Sequence, residues 1–219
     1  MSTYVFMKVL ESAPRRYDKG MTILTLGRLE RAKEDIAALV NAGEQVLDIG
    51  CGTGTLAVLL AQRGAQVVGV DISASMLEIA RARAREENLE EQIELRELGA
   101  VDLDTAFEDQ SFDCVVSTLT FSELSEGEID YTLQQCWRIL KEGGKLIIAD
   151  EILPTSFIGR VMTFLYRLPF VTITYLLTQN TTKRVADLDK KIAKAGFKIV
   201  SLRKYLLGTL QTYVACKEG

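Results

Sequence analysis

Val46-Leu47-Asp48-Ile49-Gly50-Cys51-Gly52-Thr53-Gly54 decides how this chain is read. An apolar run ends in three glycines at every second residue, with an acid two places before the first. A second apolar run, Val67 to Val70, ends in Asp71. Strand, glycine turn, helix and a second strand tipped with a carboxylate is how an α/β sheet holds an adenosine-containing cofactor. Three glycines give up backbone entropy, and binding explains them better than a bare turn.

The spacing narrows the cofactor. A nicotinamide-binding turn takes glycines at its first, third and sixth places. Here Gly50, Gly52 and Gly54 hold the first, third and fifth, and Thr55 the sixth. Asp48 sits where a pyrophosphate would be repelled and a cationic group welcomed. Asp71, 21 residues past Gly50 at a strand tip, is placed to accept both hydroxyls of a ribose.

Composition sets the outer bounds. The 219 residues are 47 % hydrophobic and 26 % charged, an ordinary mixture for one α/β domain. A net charge of −4 gives no global field for nucleic acid or an anionic membrane, though a local basic patch stays open. The four cysteines have no paired spacing, which excludes a Cys-x-x-Cys zinc site and makes a reduced, cytoplasmic setting the default. With no histidine, proton transfer falls to carboxylates, tyrosines, hydroxyls, thiols or backbone, and no metal site is expected. We see no signal peptide and no repeat.

Along the chain, apolar spacing predicts a helix from Tyr17 to about Val40 with Gly27 as a break, then a strand over 45–49. A helix over 55–63, a strand over 66–70 and a Ser73-capped helix over 74–88 follow. Strands over 92–98 and 112–117, a helix over 126–140, the turn 141–144 and a strand over 145–149 complete the alternating part. The chain closes with a helix over 185–195 and a hairpin of strands 197–202 and 208–216. The fold expected is α/β: doubly wound, mostly parallel, seven-stranded, with an antiparallel last strand. Its parts are N-terminal helices (1–44), a cofactor core (45–151), a helical cap insert (152–184) and a C-terminal helix with hairpin (185–219). The apolar run 157–178 approaches the ~20 residues of a membrane span, but Arg160, Arg167 and Pro169 argue against one. Self-burying cap helices, a lining for a lipophilic substrate (Tyr166 and Tyr175 included), a peripheral membrane dock and a homodimer face all stay open.

On these motifs the sequence resembles the class I S-adenosylmethionine-dependent methyltransferases, which are Rossmann-like. Val46–Gly54 looks like their first motif and Asp71 like their ribose acid. Phe112–Val116 and Leu140–Gly144 look like two later motifs. Tyr17-Asp18 with Thr25 and Gly27, and the ending Ala195-Gly196-Phe197, are similar to the ubiquinone/menaquinone C-methyltransferases. Phe121–Ser125 and Ala149–Glu151 look like a branch associated with corrinoid proteins, which leaves such a protein open as a partner.

The resemblance implies S-adenosylmethionine as cofactor and a small, lipophilic or aromatic acceptor. Gly50, Gly52 and Gly54 would admit the cofactor's backbone approach, and Thr53 would bond its amino-acid end. Ile72 and Met76 would flank the adenine, Thr118 would face the methionine end, and Tyr17 would close over it. Gly99-Ala100 stand where the family has Asp-Ala, so the adenine amino group would turn to backbone or to Asp102. Should the acceptor need to lose a proton, Glu123 is the first candidate base and Glu151 the second, with Asp150 beside them at the carboxyl edge. A cofactor-binding subunit without turnover is the reading from another class.

Overall fold

The computed structural model describes residues 18, 21–22, 25–152, 185–205 and 208–218. Seven strands form one sheet: β1 Gln45–Ile49, β2 Gln66–Asp71, β3 Ile93–Glu97, β4 Phe112–Thr118, β5 Leu140–Glu151, β6 Lys198–Tyr205 and β7 Leu210–Cys216. Their order is β3-β2-β1-β4-β5-β7-β6. All pairs from β3 to β5 are parallel, and β7 runs antiparallel to both β5 and β6. The expected hairpin is present, but its second strand lies inside the sheet and its first forms the edge.

Helices α1 (Arg28–Ala37), α2 (Thr55–Ala61), α3 (Ala74–Glu86), α4 (Leu103–Ala106), α5 (Glu126–Ile139) and α6 (Leu188–Lys194) connect the strands. Alternation along the central strands divides the core in two. Val46, Val67, Val116 and Ile147 face Leu29, Ile36, Leu56 and Leu60 of α1 and α2. Leu47, Ile49, Val115 and Ile148 face Leu133, Ile139, Leu188 and Ile192 of α5 and α6. Because β-strand side chains alternate, Asp48 points to the α1–α2 face with Val46.

Helix starts follow local chemistry. Ser73 accepts from the Met76 amide at 3.4 Å to start α3. Ser125 and Glu128 form a reciprocal capping box for α5, with Glu128 accepting from the Ser125 amide at 2.7 Å. The predicted N-terminal helix is interrupted where expected: Leu26 and Gly27 both adopt positive φ (51° and 69°), and α1 begins afresh at Arg28.

Element boundaries differ from the sequence expectation most at β5 and at the last helix. β5 begins at Leu140, because the Gly143-Gly144 pair continues the strand instead of ending a turn. Gly143 donates to the Lys217 carbonyl at 3.1 Å, and Lys217 donates to that of Gly144 at 3.0 Å. The irregularity shows as a register shift against β4. The last helix starts at Leu188, and Val185 forms a parallel bridge with Ile152. The one-turn α4 carried too few residues to give a period. The cap over 157–178, with Tyr166 and Tyr175, lies outside the described residues. Among those described, no helix is long and apolar enough to cross a membrane.

Candidate cofactor and acceptor site

Strand order reverses between β1 and β4, and ligands of open α/β sheets bind in the crevice beyond the carboxyl ends at such a point. The glycine turn leaves β1 there, and residues 119–124 leave β4. Gly50 and Cys51 both donate to the Val70 carbonyl, at 2.8 and 3.0 Å, pinning the turn to β2.

The three glycines do different work. All have positive φ (71°, 54° and 74°), where L side chains are strained. A Cβ on Gly50 would lie 2.0 Å from the Thr120 hydroxyl, and one on Gly54 2.8 Å from the Ala80 methyl. Those two make room for neighbouring chain. Gly52 differs: a Cβ there would meet nothing within 4 Å among the described residues. Its amide donates to Asp71 Oδ2 at 2.8 Å, and Ser73 donates to Asp71 Oδ1 at 2.8 Å. Asp71 is thus held by backbone on both oxygens, with lone pairs left over for a ligand. Burial raises its carboxyl above the ordinary value, and these amides pull it back.

Asp48 is fully buried, and neither of its oxygens finds a hydrogen-bond partner among the described residues. Burial pushes its carboxyl up to about 7; the Lys33 charge pulls down and Asp71 pushes up. Lys33 on α1 is itself held below the usual lysine range by burial, against the charges of Asp18, Asp48 and Glu30. An orphaned buried carboxylate costs folding free energy, which a ligand cation would offset. A ligand ammonium, such as that of an amino acid, would fit the chemistry of that position.

Thr53 belongs to a network that its position in the motif did not reveal. Arg83 donates to the Thr53 carbonyl at 2.8 Å and to the Thr55 hydroxyl at 2.7 Å, and pairs with Asp18 at 2.5 Å. Thr53 donates to Asp18 Oδ1 at 2.7 Å. Burial raises the Asp18 carboxyl, but the hydrogen bonds from Arg83 and Thr53, with Arg83's charge, outweigh it and leave it below the ordinary value. The segment before α1 is thereby fastened to the glycine turn. Only the resemblance at Tyr17-Asp18 hinted at this, and Tyr17 lies outside the described residues.

At the second strand tip, Ile72 is 74 % exposed while Met76 is buried. A Cβ on Gly99 would meet Asp102 at 2.8 Å and Ile72 at 3.4 Å, so Ile72, Gly99 and Asp102 come together. Ala100 follows Gly99 and accepts from Thr132 at 3.2 Å. Thr118 ends β4 opposite Ala149. Thr120, two residues on, donates to the Ile49 carbonyl at 3.0 Å and holds the loop against β1. Leu119 between them has φ +62°.

Of the candidate bases, Glu123 is exposed and Glu151 buried beside β7. Asp150 is fully buried, accepting from the Ser122 amide at 3.2 Å and the Glu151 amide at 2.7 Å. Burial raises its carboxyl to about 7, Glu151 adding to the rise and the hydrogen bonds opposing it.

Comparison with known proteins bears on the family and the fold. The family described as a methyltransferase domain matches residues 46–144. A demethylmenaquinone methyltransferase of Lactobacillus johnsonii (strain CNCM I-12250 / La1 / NCC 533) is 30 % identical, over 92 % of this chain and 88 % of that protein. Among solved structures, the PH0226 protein from Pyrococcus horikoshii OT3 superposes with TM-score 0.71 at 22 % identity, over 87 % of this chain and 90 % of that one. The geranyl diphosphate C-methyltransferase of Streptomyces coelicolor A3(2), solved with Mg2+, geranyl diphosphate and S-adenosyl-L-homocysteine, gives 0.66 at 17 %, over 92 % and 84 %. At these identities the structures speak for the fold.

Proposed function

The chain belongs to the class I S-adenosylmethionine-dependent methyltransferases and is similar within them to demethylmenaquinone methyltransferases, and from that premise we propose that its acceptor is a lipophilic, reduced quinone ring methylated at carbon. The observation that carries this is the extent of the similarity. It runs through the acceptor half of the chain as well as the cofactor half.

When bound, S-adenosylmethionine supplies a methyl group already activated on a sulfonium. The protein's task is then to align the acceptor and keep water away, which supplies up to roughly 7–11 kcal/mol. In our reading Asp48 receives the cofactor's ammonium, Asp71 its ribose hydroxyls, and Gly52 leaves the open approach. Ile72, Gly99 and Asp102 border the adenine. A ring carbon becomes nucleophilic as its hydroxyl loses a proton, and after methylation that carbon must lose its own. Asp150, near neutrality and next to Glu151, suits the acceptor of such a proton, since a base works best near the operating pH. Exposed Glu123 falls behind both.

The test is anaerobic incubation with S-adenosylmethionine and a short-chain demethylmenaquinol, followed by mass spectrometry. A product heavier by one methylene supports the reading. No product from the quinol, with transfer to a corrinoid protein instead, overturns it.

A further inference from the structure

The overall negative charge hides a basic patch. Leu26, Gly27, Arg28 and Arg31, from the start of α1, meet Asp35, Arg203 and Tyr205 around an open depression of about 640 Å³. Three guanidinium groups face a single carboxylate. Asp35 accepts from Tyr205 at 2.7 Å and pairs with Arg203 at 2.5 Å and Arg31 at 3.6 Å. Those pairs do not use up the cations. The Arg31 and Arg203 side chains remain 65 % and 60 % exposed, and Arg28 is exposed as well. Most donors of three planar guanidiniums therefore stay open to solvent.

Leu26 sits at the rim. It is 62 % exposed and has φ +51°, a region that a branched side chain seldom enters. Its apolar side chain thus stands in solvent beside three arginines.

Topology fixes where this patch lies. Tyr205 ends β6 and pairs with Leu210, which pairs in turn with Glu151 at the end of β5. The start of α1 lies at the same edge, since α1 leads back toward the beginning of β1. The depression thus opens at the carboxyl edge, the edge that carries the glycine turn and Asp150.

We propose that this leucine-tipped arginine cluster docks the enzyme on a bilayer surface carrying anionic lipid headgroups, with the carboxyl edge of the sheet turned toward the membrane. The guanidiniums take the headgroup phosphates, and Leu26 enters the acyl boundary. An apolar tip favours a bilayer over a nucleic-acid backbone, which offers phosphates and nothing for a leucine. Docking here does not depend on which acceptor is methylated, so it is measured without cofactor or acceptor.

The test is cosedimentation of the full chain with vesicles of phosphatidylcholine alone or mixed with phosphatidylglycerol. The protein is expected to partition onto the anionic vesicles only, and to be released at roughly 0.5 M salt. Arg28→Glu with Arg31→Glu should lower that partition by roughly tenfold or more. Leu26→Asn, which suits the left-handed backbone better, should lower it about fivefold without harming the fold. S-adenosylhomocysteine affinity unchanged in these variants confirms that they are folded. Equal partition onto neutral and anionic vesicles, variants that bind like the parent, or capture of a single-stranded RNA with no vesicle binding would each overturn the proposal.

Discussion

The two halves of the sheet edge are built on different principles. In the cofactor half, ends of β1 and β2, the polar groups that matter lie close in sequence: Gly52 and Asp71 are 19 residues apart, Asp71 and Ser73 two. Backbone amides fix Asp71, while Asp48 has no hydrogen-bond partner among the described residues. In the acceptor half, ends of β4, β5 and β7, long-range contacts join Ser122 to Asp150 and strand pairs tie Glu151 to Leu210. One half holds its acids on backbone amides or with no hydrogen bond among the described residues. The other holds a buried acid pair whose setting depends on distant chain.

That difference governs what breaks each half. The largest effect is expected from Gly50→Ala, whose Cβ would overlap Thr120 in a backbone already at positive φ. Loss of stability of roughly 3 kcal/mol or more, seen by denaturant titration, should accompany loss of cofactor binding. Gly52→Ala adds a methyl that meets nothing within 4 Å among the described residues. It should cost only about 1–2 kcal/mol of stability from its backbone and yet weaken S-adenosylhomocysteine clearly. Equal cofactor affinity in Gly52→Ala and the parent would remove the open approach assigned to this residue.

Asp48 gives a pH signature of intermediate size. Burial pushes its carboxyl up to about 7 from the ordinary 3.8 of an exposed aspartate, so between these values the native state binds more protons than the unfolded chain. Stability of the ligand-free protein should therefore fall as pH rises through this window and level off above it. Asp150 contributes in the same range. Asp48→Asn should reduce the loss between pH 5 and 8 by about 2 kcal/mol in chemical denaturation. In the parent, cofactor affinity should weaken as pH drops below 7, as Asp48 takes up a proton; a flat profile would detach Asp48 from the ammonium.

The smallest effect concerns the network at Thr53. Arg83→Met should weaken cofactor binding by about three- to tenfold, because a part-buried ion pair and its hydrogen bonds are worth roughly 1 kcal/mol. An affinity equal to the parent's would show that fastening the segment at Asp18 does not serve the site.

What the sequence revealed tracks the same divide. The β1 turn, Asp71 at the tip of β2 and the alternation of strands with helices were legible because each signal is local: glycine spacing, an apolar run, an acid at its end. Gly143-Gly144 misled because a glycine pair reads as a turn, and only pairing with Lys217 shows it to be strand. Arg83 was not legible as a site residue, since its partner Asp18 lies 65 residues away. Arg83 stands on α3 among other charged side chains, and such a run by itself reads as a solvated face. Asp150 ranked below Glu123 and Glu151 because burial, which raises its carboxyl, cannot be read from a loop of acids.

The division of labour is tested most directly by calorimetric titration of S-adenosylhomocysteine into Asp71→Ala and Asp150→Asn side by side, each first checked for a cooperative melt. The account predicts that Asp71→Ala binds at least about tenfold more weakly, a loss of ~1.4 kcal/mol or more, while Asp150→Asn keeps the parent affinity. Unchanged affinity in Asp71→Ala, or an equal loss in both, would contradict it.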